Sequence, residues 1–190
     1  MAAVRDPFDV KMLFLRVGWM DRYRGISSTD SISGGGAYVQ DHGLGHEIFN
    51  FLDFRGGMYG YVQPPGSRDG EWDKARIGLT RLGASPTAAF LTGVLAVWVA
   101  TSPSGGGFVV GWYPDATVFR DQQPMPVDSN RQHEGKTCGY YVRADAANAV
   151  LLKPDERVFA VPQKKKGTFG QSNIWYADDR TQHLPRSPPH

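Results

Sequence analysis

The residues of this chain that could form a binding site are mainly aromatic and basic. The stretch Phe108–Asp121 (FVVGWYPDATVFRD) places Trp112 beside Tyr113, directly before Pro114-Asp115. Valine, phenylalanine, tryptophan and tyrosine favour a β-strand, whereas proline donates no hydrogen bond to a neighbouring strand. The pattern therefore predicts a strand that is interrupted after the aromatic pair, with ring faces that could line a pocket for a flat ligand.

A second aromatic pair lies where a predicted strand meets a basic, glycine-rich loop. Trp19 and Tyr23 occupy this position in the segment GWMDRYRG. Stacking on an aromatic ring contributes about 1–3 kcal/mol per nucleic-acid base, so this pair and the Trp112–Tyr113 pair could enclose a base. We expect the polar contacts to the base edge to come from three further residues: Ser33, His46 and Asp115.

Basic residues and glycines near these aromatics could contact a nucleic-acid backbone. Arginine and lysine side chains and backbone N–H groups all bind phosphate oxygens, and glycine lets a loop approach closely. Solvated surface loops are the alternative interpretation of each segment. The residues that we predict to contact phosphates are Arg22, Arg24, Gly34, Gly35, Lys164, Lys165 and Lys166.

Catalytic and metal-binding patterns are weak by comparison. His42 and His46 are four residues apart, and Asp41 or Glu47 could be a third metal ligand. However, the glycines between the two histidines disfavour a helix, and the zincin motif, with Glu directly after the first His, is absent. Cys138 has no evident base partner, and the sequence has no Gly-x-Ser-x-Gly motif. We expect no catalytic residue, metal or cofactor, and a metal-dependent nuclease or base-processing enzyme that uses the His42–Glu47 loop is the alternative.

Composition indicates one β-rich domain. The chain has 190 residues, of which 41% are hydrophobic and 12% aromatic, and its 23 glycines and 13 prolines favour short elements joined by turns. We expect residues 1–10 to be disordered, residues 11–180 to form a single domain, and the proline-rich residues 181–190 to link it to a further domain. The predicted strands are Lys11–Trp19, Glu47–Phe54, Gly57–Gln63, Gly93–Thr101, Phe108–Tyr113, Cys138–Ala144 and Val158–Val161.

The same composition indicates where the protein works. One cysteine excludes an internal disulfide and fits a reducing cytoplasm. No apolar run approaches 18 residues, and the amino terminus lacks the pattern of a secretory signal, so we expect no membrane association. The net charge of +2 permits a nucleic-acid partner without requiring one.

Several stretches together resemble a known kind of module. They include MLFLRVGWMDRYRG, GGGAYVQDHGLGHEIFNF, VVGWYPDATVFRD and PDERVFAVPQKKKGTFGQSNIWYAD. The pattern, from about Met12 to Asp178, is similar to the amino-terminal modules of bacterial modification-dependent (type IV) restriction proteins, which precede an HNH nuclease or another large domain. This resemblance implies a sensor of double-stranded DNA with modified bases, covalently linked to a nuclease domain.

The hairpin that leads into GWYPDATVFRD also resembles the PUA superfamily, which includes EVE, ASCH and SRA-like domains. That likeness implies an α+β, β-dominated fold: a PUA-like, bent mixed β-barrel with short flanking helices. It further implies recognition of 5-methylcytosine or 5-hydroxymethylcytosine by flipping the base into an aromatic pocket. A protein-interaction or oligomerisation module with exposed aromatics is a further alternative, and the sequence leaves the oligomeric state open.

Overall fold

A computed structural model describes residues 10–34, 46–65, 75–133, 135–162, 170 and 172–177. Nine strands form a seven-stranded sheet and a separate two-stranded ribbon. The strands are β1 (Lys11–Val17), β2 (Gly57–Gly60), β3 (Phe90–Thr101), β4 (Gly107–Gln123), β5 (Gln132–His133), β6 (Lys136–Thr137), β7 (Tyr140–Asp145), β8 (Val150–Leu151) and β9 (Ile174–Tyr176).

The large sheet is mixed, with strand order β2-β7-β4-β3-β1-β9 and with β8 on β4. The β3–β4 hairpin is its centre, as the sequence predicts. β1 runs parallel to β3, with Leu15 opposite Trp98, and every other pairing in the sheet is antiparallel. β5 pairs β6 in the ribbon. The β-dominated class is therefore confirmed.

Side chains along the central strands point alternately to the two faces of the sheet, and this separates two apolar clusters. Leu13 and Leu15 of β1 and Trp98 of β3 point into the main core. Phe14 and Val97 point to the opposite face of the sheet, which we call the outer face. Because successive side chains of a strand point to opposite sides, this division follows directly from the strand assignment.

The predicted interruption at Pro114 is wrong. β4 continues through Pro114-Asp115 to Gln123, and the irregularity is a bulge at which Asp115 has φ 50°. The facing segment of β3 contains Gly93 with φ 72°, and the pairing register shifts on both sides of Val94. Bulges bend a strand and increase its twist, so a proline is accommodated here without ending the strand.

The bent sheet brings distant strands together. Gly60 of β2 lies so close to the rings of Trp98 and Tyr113 that a Cβ at this position would overlap the Trp98 ring. In the part of the chain that the structure describes, the strand order still has two separate ends, β2 and β9, so the sheet is bent but not closed into a barrel.

Helical structure is limited to single turns. Short 3-10 helices occur at His46–Phe49, Leu79–Leu82, Val127–Ser129 and Pro154–Glu156, and no α-helix is present among the described residues. The strand predicted at Glu47–Phe54 is therefore wrong: after the 3-10 helix the segment is irregular, and only Phe54 makes an isolated bridge, to Gly57. Val158–Val161 contributes one bridge, from Ala160 to Phe108. No described helix is long and apolar enough to cross a membrane.

Candidate nucleic-acid interface

The seven predicted pocket residues lie in three parts of the fold: β4, the first 3-10 helix and the segment 18–34. Trp112 and Tyr113 are neighbours in β4 and point to opposite faces: Trp112 packs in the outer cluster, whereas Tyr113 belongs to the main core. The expectation that both rings line one cavity is therefore corrected. The two-residue period of the strand, read from the sequence, could have shown this.

Tyr113 is a core residue. It is fully buried, and its ring packs edge-on against Trp98 and Phe51, with centroids 5.2 and 5.3 Å away. Its hydroxyl donates a hydrogen bond to the backbone carbonyl of Asn50. Burial raises the pKa of Tyr113. No ring face remains for a ligand.

Tyr23 is also part of the core. It adopts a left-handed backbone conformation, with φ 51°, which turns its side chain inward to full burial. The hydroxyl donates to the Gly18 carbonyl oxygen at 2.7 Å, and desolvation by burial raises the pKa of this phenol. Tyr23 therefore fixes the loop that carries it, and its predicted place as a pocket wall is corrected.

Trp112 and Asp115 lie elsewhere in β4. Trp112 is half-buried in the outer cluster, which includes Phe14 and Trp175. Asp115 is exposed at the bulge and helps to line an open cleft of about 330 Å³, together with Val10, Gly93, Leu95 and Pro114. This shallow cleft has one acidic side chain and no aromatic ring.

His46 and Glu47 begin the first 3-10 helix. The His46 ring lies against Tyr61, with centroids 4.7 Å apart. Glu47 is buried, and its carboxylate accepts hydrogen bonds from the backbone N–H groups of Gly18 and of Glu47 itself, while desolvation raises its pKa. Glu47 thus ties the helix to the end of β1. Among the described residues no group of three His, Cys, Asp or Glu side chains is placed to hold a metal, and His42 lies outside them.

Trp19 and Ser33 are brought together. Each donates its backbone N–H to the carbonyl oxygen of the other, at 2.7 and 2.9 Å. This bridge closes the segment Gly18–Gly34, which we call the Trp19 loop. Inside the loop the Asp30 carboxylate accepts the backbone N–H groups of Asp21 and Arg22, at 2.8 and 2.9 Å. The loop is therefore ordered by its own hydrogen bonds.

Arg157 holds the same loop from the other side, and no local pattern of residues predicts this role. Its side chain is buried, and its guanidinium lies 4.5 Å from the centroid of the Trp19 ring. Its three nitrogens donate to backbone carbonyls: Nη1 to Met20 at 2.7 Å, Nη2 to Asp21 at 2.9 Å and Nε to Leu152 at 3.1 Å. Desolvation by burial lowers the pKa of Arg157. A planar cation with every nitrogen bonded fixes the position of the half-buried Trp19 ring.

The predicted phosphate-binding residues are only partly described. Arg22 is half-exposed, and its Nη2 donates to the hydroxyls of Ser27 and Thr29, at 3.0 and 2.7 Å. Arg24 is exposed in the same loop. Gly34 has φ 65° and ends the loop. Gly35 and Lys164–Lys166 lie outside the described residues.

Comparison with family models, with curated proteins and with solved structures gives no match for this chain. The function must therefore be argued from the residues themselves.

Proposed function

We propose that this chain is a DNA-binding domain that recognises duplex DNA containing modified cytosine, 5-methylcytosine or 5-hydroxymethylcytosine, through the Trp19 loop. The observation that supports the proposal is the arrangement of Trp19 in this loop. Its ring is half-buried and stacked on Arg157, close in sequence to two solvent-accessible arginines, Arg22 and Arg24.

This arrangement suits base recognition because it is preorganised. The hydrogen bonds of Asp30 and the Trp19–Ser33 bridge fix the loop backbone before any ligand is present. A rigid aromatic ring loses little conformational entropy on binding. The Trp19 ring packs against the main core as well as on Arg157, so a flipped base would stack on the part of the ring that stays exposed, and the Ser33 hydroxyl would contact the base edge.

The cost of base flipping and the gain from stacking are of similar size. Extruding a base from a duplex costs a few kcal/mol, and stacking supplies about 1–3 kcal/mol, so hydrogen bonds and phosphate contacts must contribute the rest. A methyl group adds only about 0.8 kcal/mol of apolar burial. Discrimination would therefore depend on the shape of the site around Trp19 and Ser33.

Arg22 and Arg24 would hold phosphates on either side of the flipped base. Arg24 is the stronger candidate, because Arg22 already donates to Ser27 and Thr29 and would have to exchange those bonds. Lys164, Lys165 and Lys166, with Gly34 and Gly35, extend the proposed phosphate contacts. The domain would bind without catalysis or cofactor in the cytoplasm, as the sensor of a modification-dependent restriction protein. A PUA-like architecture would account for the bent sheet, and residues 181–190 would lead to the nuclease domain.

The test is a titration with matched duplexes that carry cytosine, 5-methylcytosine or 5-hydroxymethylcytosine at one position. Each is measured at about 50 mM and about 200 mM salt, because phosphate contacts alone give salt-dependent binding without discrimination. We expect a modified duplex to bind more tightly than the unmodified one. Equal affinity for all three would reject modified-base recognition, and no binding at low salt would reject DNA binding.

Three variants assign the contacts. Trp19→Ala should reduce the preference for the modified duplex, since the lost stacking of about 1–3 kcal/mol corresponds to about 5- to 150-fold in affinity. Arg24→Ala should weaken the binding of all three duplexes equally and should reduce, by about one, the slope of log affinity against log salt concentration. Lys11→Ala is the control: it also removes an exposed positive charge, but at the other end of β1, and should change neither quantity.

A further inference from the structure

Five aromatic rings, all outside the Trp19 loop, form a row across the sheet. The rings are consecutive neighbours on or beside the strands β2, β7, β4 and β3. Their centroid separations are 6.3, 4.9, 5.7 and 6.0 Å. The row, which we call the aromatic row, consists of Phe54, Tyr59, Tyr140, Phe119 and Phe90.

None of the five rings belongs to either apolar cluster of the described residues. Four are half-buried, and Phe90 is 54% exposed. Strand register explains their alignment: Phe90 is opposite Phe119 in the β3–β4 pair, and Tyr59 is opposite Arg143 in the β2–β7 pair. The rings therefore form a surface feature that contributes little to the core.

Two arginines accompany the row. The Arg143 guanidinium lies 5.8 Å from the centroid of the Tyr59 ring, and Arg55 lies 4.9 Å from that of Phe54. Arg143 is exposed and makes no ion pair among the residues that the structure describes. Arg55 pairs with Asp128 at 2.7 Å, and both side chains are exposed. Exposed pairs of this kind are weak, so a phosphate could replace Asp128.

We propose that the aromatic row binds single-stranded nucleic acid, with bases stacked on its rings and phosphates held by Arg143 and Arg55. Successive aromatic rings beside cations are what binding of single strands without sequence preference requires. The bases of a duplex already stack on each other, so their faces are not available to such a row. This surface is separate from the Trp19 loop and does not depend on the function proposed for that loop.

The composition of the row favours this ligand over a protein partner. The row has polar neighbours, including Thr117, which is opposite Arg143. Its neighbouring rings are tilted or edge-on to one another, with interplanar angles from 47° to 89°, and positive charge lies beside them. A ligand with flat apolar rings and negative charge fits these features best.

The test is fluorescence anisotropy of the whole chain with labelled single-stranded oligonucleotides, oligo(dT) and oligo(rU) of about twelve nucleotides, and with a duplex of equal length. We expect the single strands to bind with an affinity that falls as salt rises. Tyr59→Ala and Phe90→Ala should each weaken this binding by about fivefold or more. Phe159→Ala is the matched control, because Phe159 is 61% exposed but lies outside the row.

Conservative variants separate stacking from apolar contact. Tyr59→Phe should bind as the wild type does, whereas Tyr59→Leu should bind as weakly as Tyr59→Ala, because leucine has no ring face. The melting temperature of each variant shows whether it folds. Tyr59→Ala and Phe90→Ala should leave the ratio of affinities for modified and unmodified duplexes unchanged, so failure of the Trp19 loop and failure of the row can be distinguished.

Three results would overturn the proposal. The first is no binding of either single strand at about 50 mM salt. The second is wild-type affinity in folded Tyr59→Leu, which would make the row a general apolar surface, or in folded Phe90→Ala, which would show that the row does not bind the strand. The third is concentration-dependent self-association, measured by sedimentation, that Phe90→Ala abolishes, which would show that a second copy of the chain covers the row.

Discussion

Two buried arginines with opposite environments give the sharpest test of how this fold is stabilised. Arg157 donates all three of its nitrogens to backbone carbonyls. Arg131 is fully buried, but only its Nη1 donates, to the Phe49 carbonyl at 2.7 Å. Nε and Nη2 of Arg131 find no hydrogen-bond partner in the described structure. Methionine, unbranched and of comparable reach, can replace each side chain and remove its charge.

Arg157→Met should be strongly destabilising. The variant loses three charge-assisted hydrogen bonds and the contact with the Trp19 ring, and it leaves the carbonyls of Met20, Asp21 and Leu152 without their donor. Hydrogen bonds to charged groups contribute about 1.5–3 kcal/mol each, but they are not additive, and part of the loss is recovered by hydration. We expect a loss of about 3–5 kcal/mol, which is a large fraction of a typical domain stability.

Arg131→Met should behave differently. Burial lowers the pKa of Arg131 to about 10, so the side chain remains charged at neutral pH and its desolvation is poorly compensated. The variant loses one hydrogen bond and a distant ring contact with Phe49, at 5.6 Å, but it removes two buried donors without partners. Replacing such a group by an apolar one is often neutral or stabilising. We expect a change within about 1 kcal/mol of zero, or a gain.

Urea unfolding followed by tryptophan fluorescence measures both effects, provided that the slope of the transition is unchanged. If Arg157→Met lowered the free energy of unfolding by less than about 1 kcal/mol, this would refute the role of Arg157 in holding the Trp19 loop. A loss above about 2 kcal/mol for Arg131→Met would show that its donors are satisfied after all. The contrast between the two variants matters more than either value.

Two further predictions test other contacts. Because burial raises the pKa of Glu47 above its ordinary 4.5, the folded state binds this proton more tightly than the unfolded state. The wild-type free energy of unfolding should therefore fall as pH rises from about 4.5 to the folded pKa, and a pH series of urea midpoints should show that Glu47→Gln lacks this component. Gly60→Ala should cost about 1–3 kcal/mol, since its methyl group would overlap the Trp98 ring. Gly170→Ala, at a position where no atom of the described residues lies within 4 Å of the added Cβ, should have little effect on the melting temperature. Equal melting temperatures for Gly60→Ala and Gly170→Ala would contradict the close packing at Gly60.

The central hairpin could be predicted because its pattern is local. Gly93–Thr101 is rich in β-branched residues and carries Trp98, and Pro103–Gly107 has the composition of a turn. The strand at Lys11–Trp19 is predictable for the same reason, although it ends two residues earlier, at Val17. Each of these segments has a local preference for its observed structure, strand or turn, that its tertiary contacts do not reverse.

The segment Glu47–Phe54 shows where local reasoning fails. Its apolar residues suggest a strand, but Asn50 is fully buried, and its side chain makes two hydrogen bonds with the backbone of Tyr61, at 2.8 and 2.9 Å. This contact across eleven residues favours a turn over a strand. A propensity cannot report it, because it depends on a partner elsewhere in the chain.

Prediction of the candidate site was limited in the same way. The position of Trp19 at a strand end was read from the sequence, and the period of β4 should have separated Trp112 from Tyr113. The inward direction of Tyr23 depends on a positive φ, which a tyrosine rarely adopts. The stacking of Arg157 on Trp19 joins residues far apart in the chain, and the aromatic row arises from the register of four strands, so neither has a local signal.

The most direct measurement of the central claim is the ratio of dissociation constants for a duplex with one modified cytosine and the same duplex without it, in wild type and in Trp19→Ala. We predict that the wild type prefers a modified duplex at both salt concentrations and that Trp19→Ala, still folded, loses most of this preference while salt-dependent binding remains. A ratio of one for the wild type with both modifications, or a ratio unchanged by the loss of the Trp19 ring, would contradict the account.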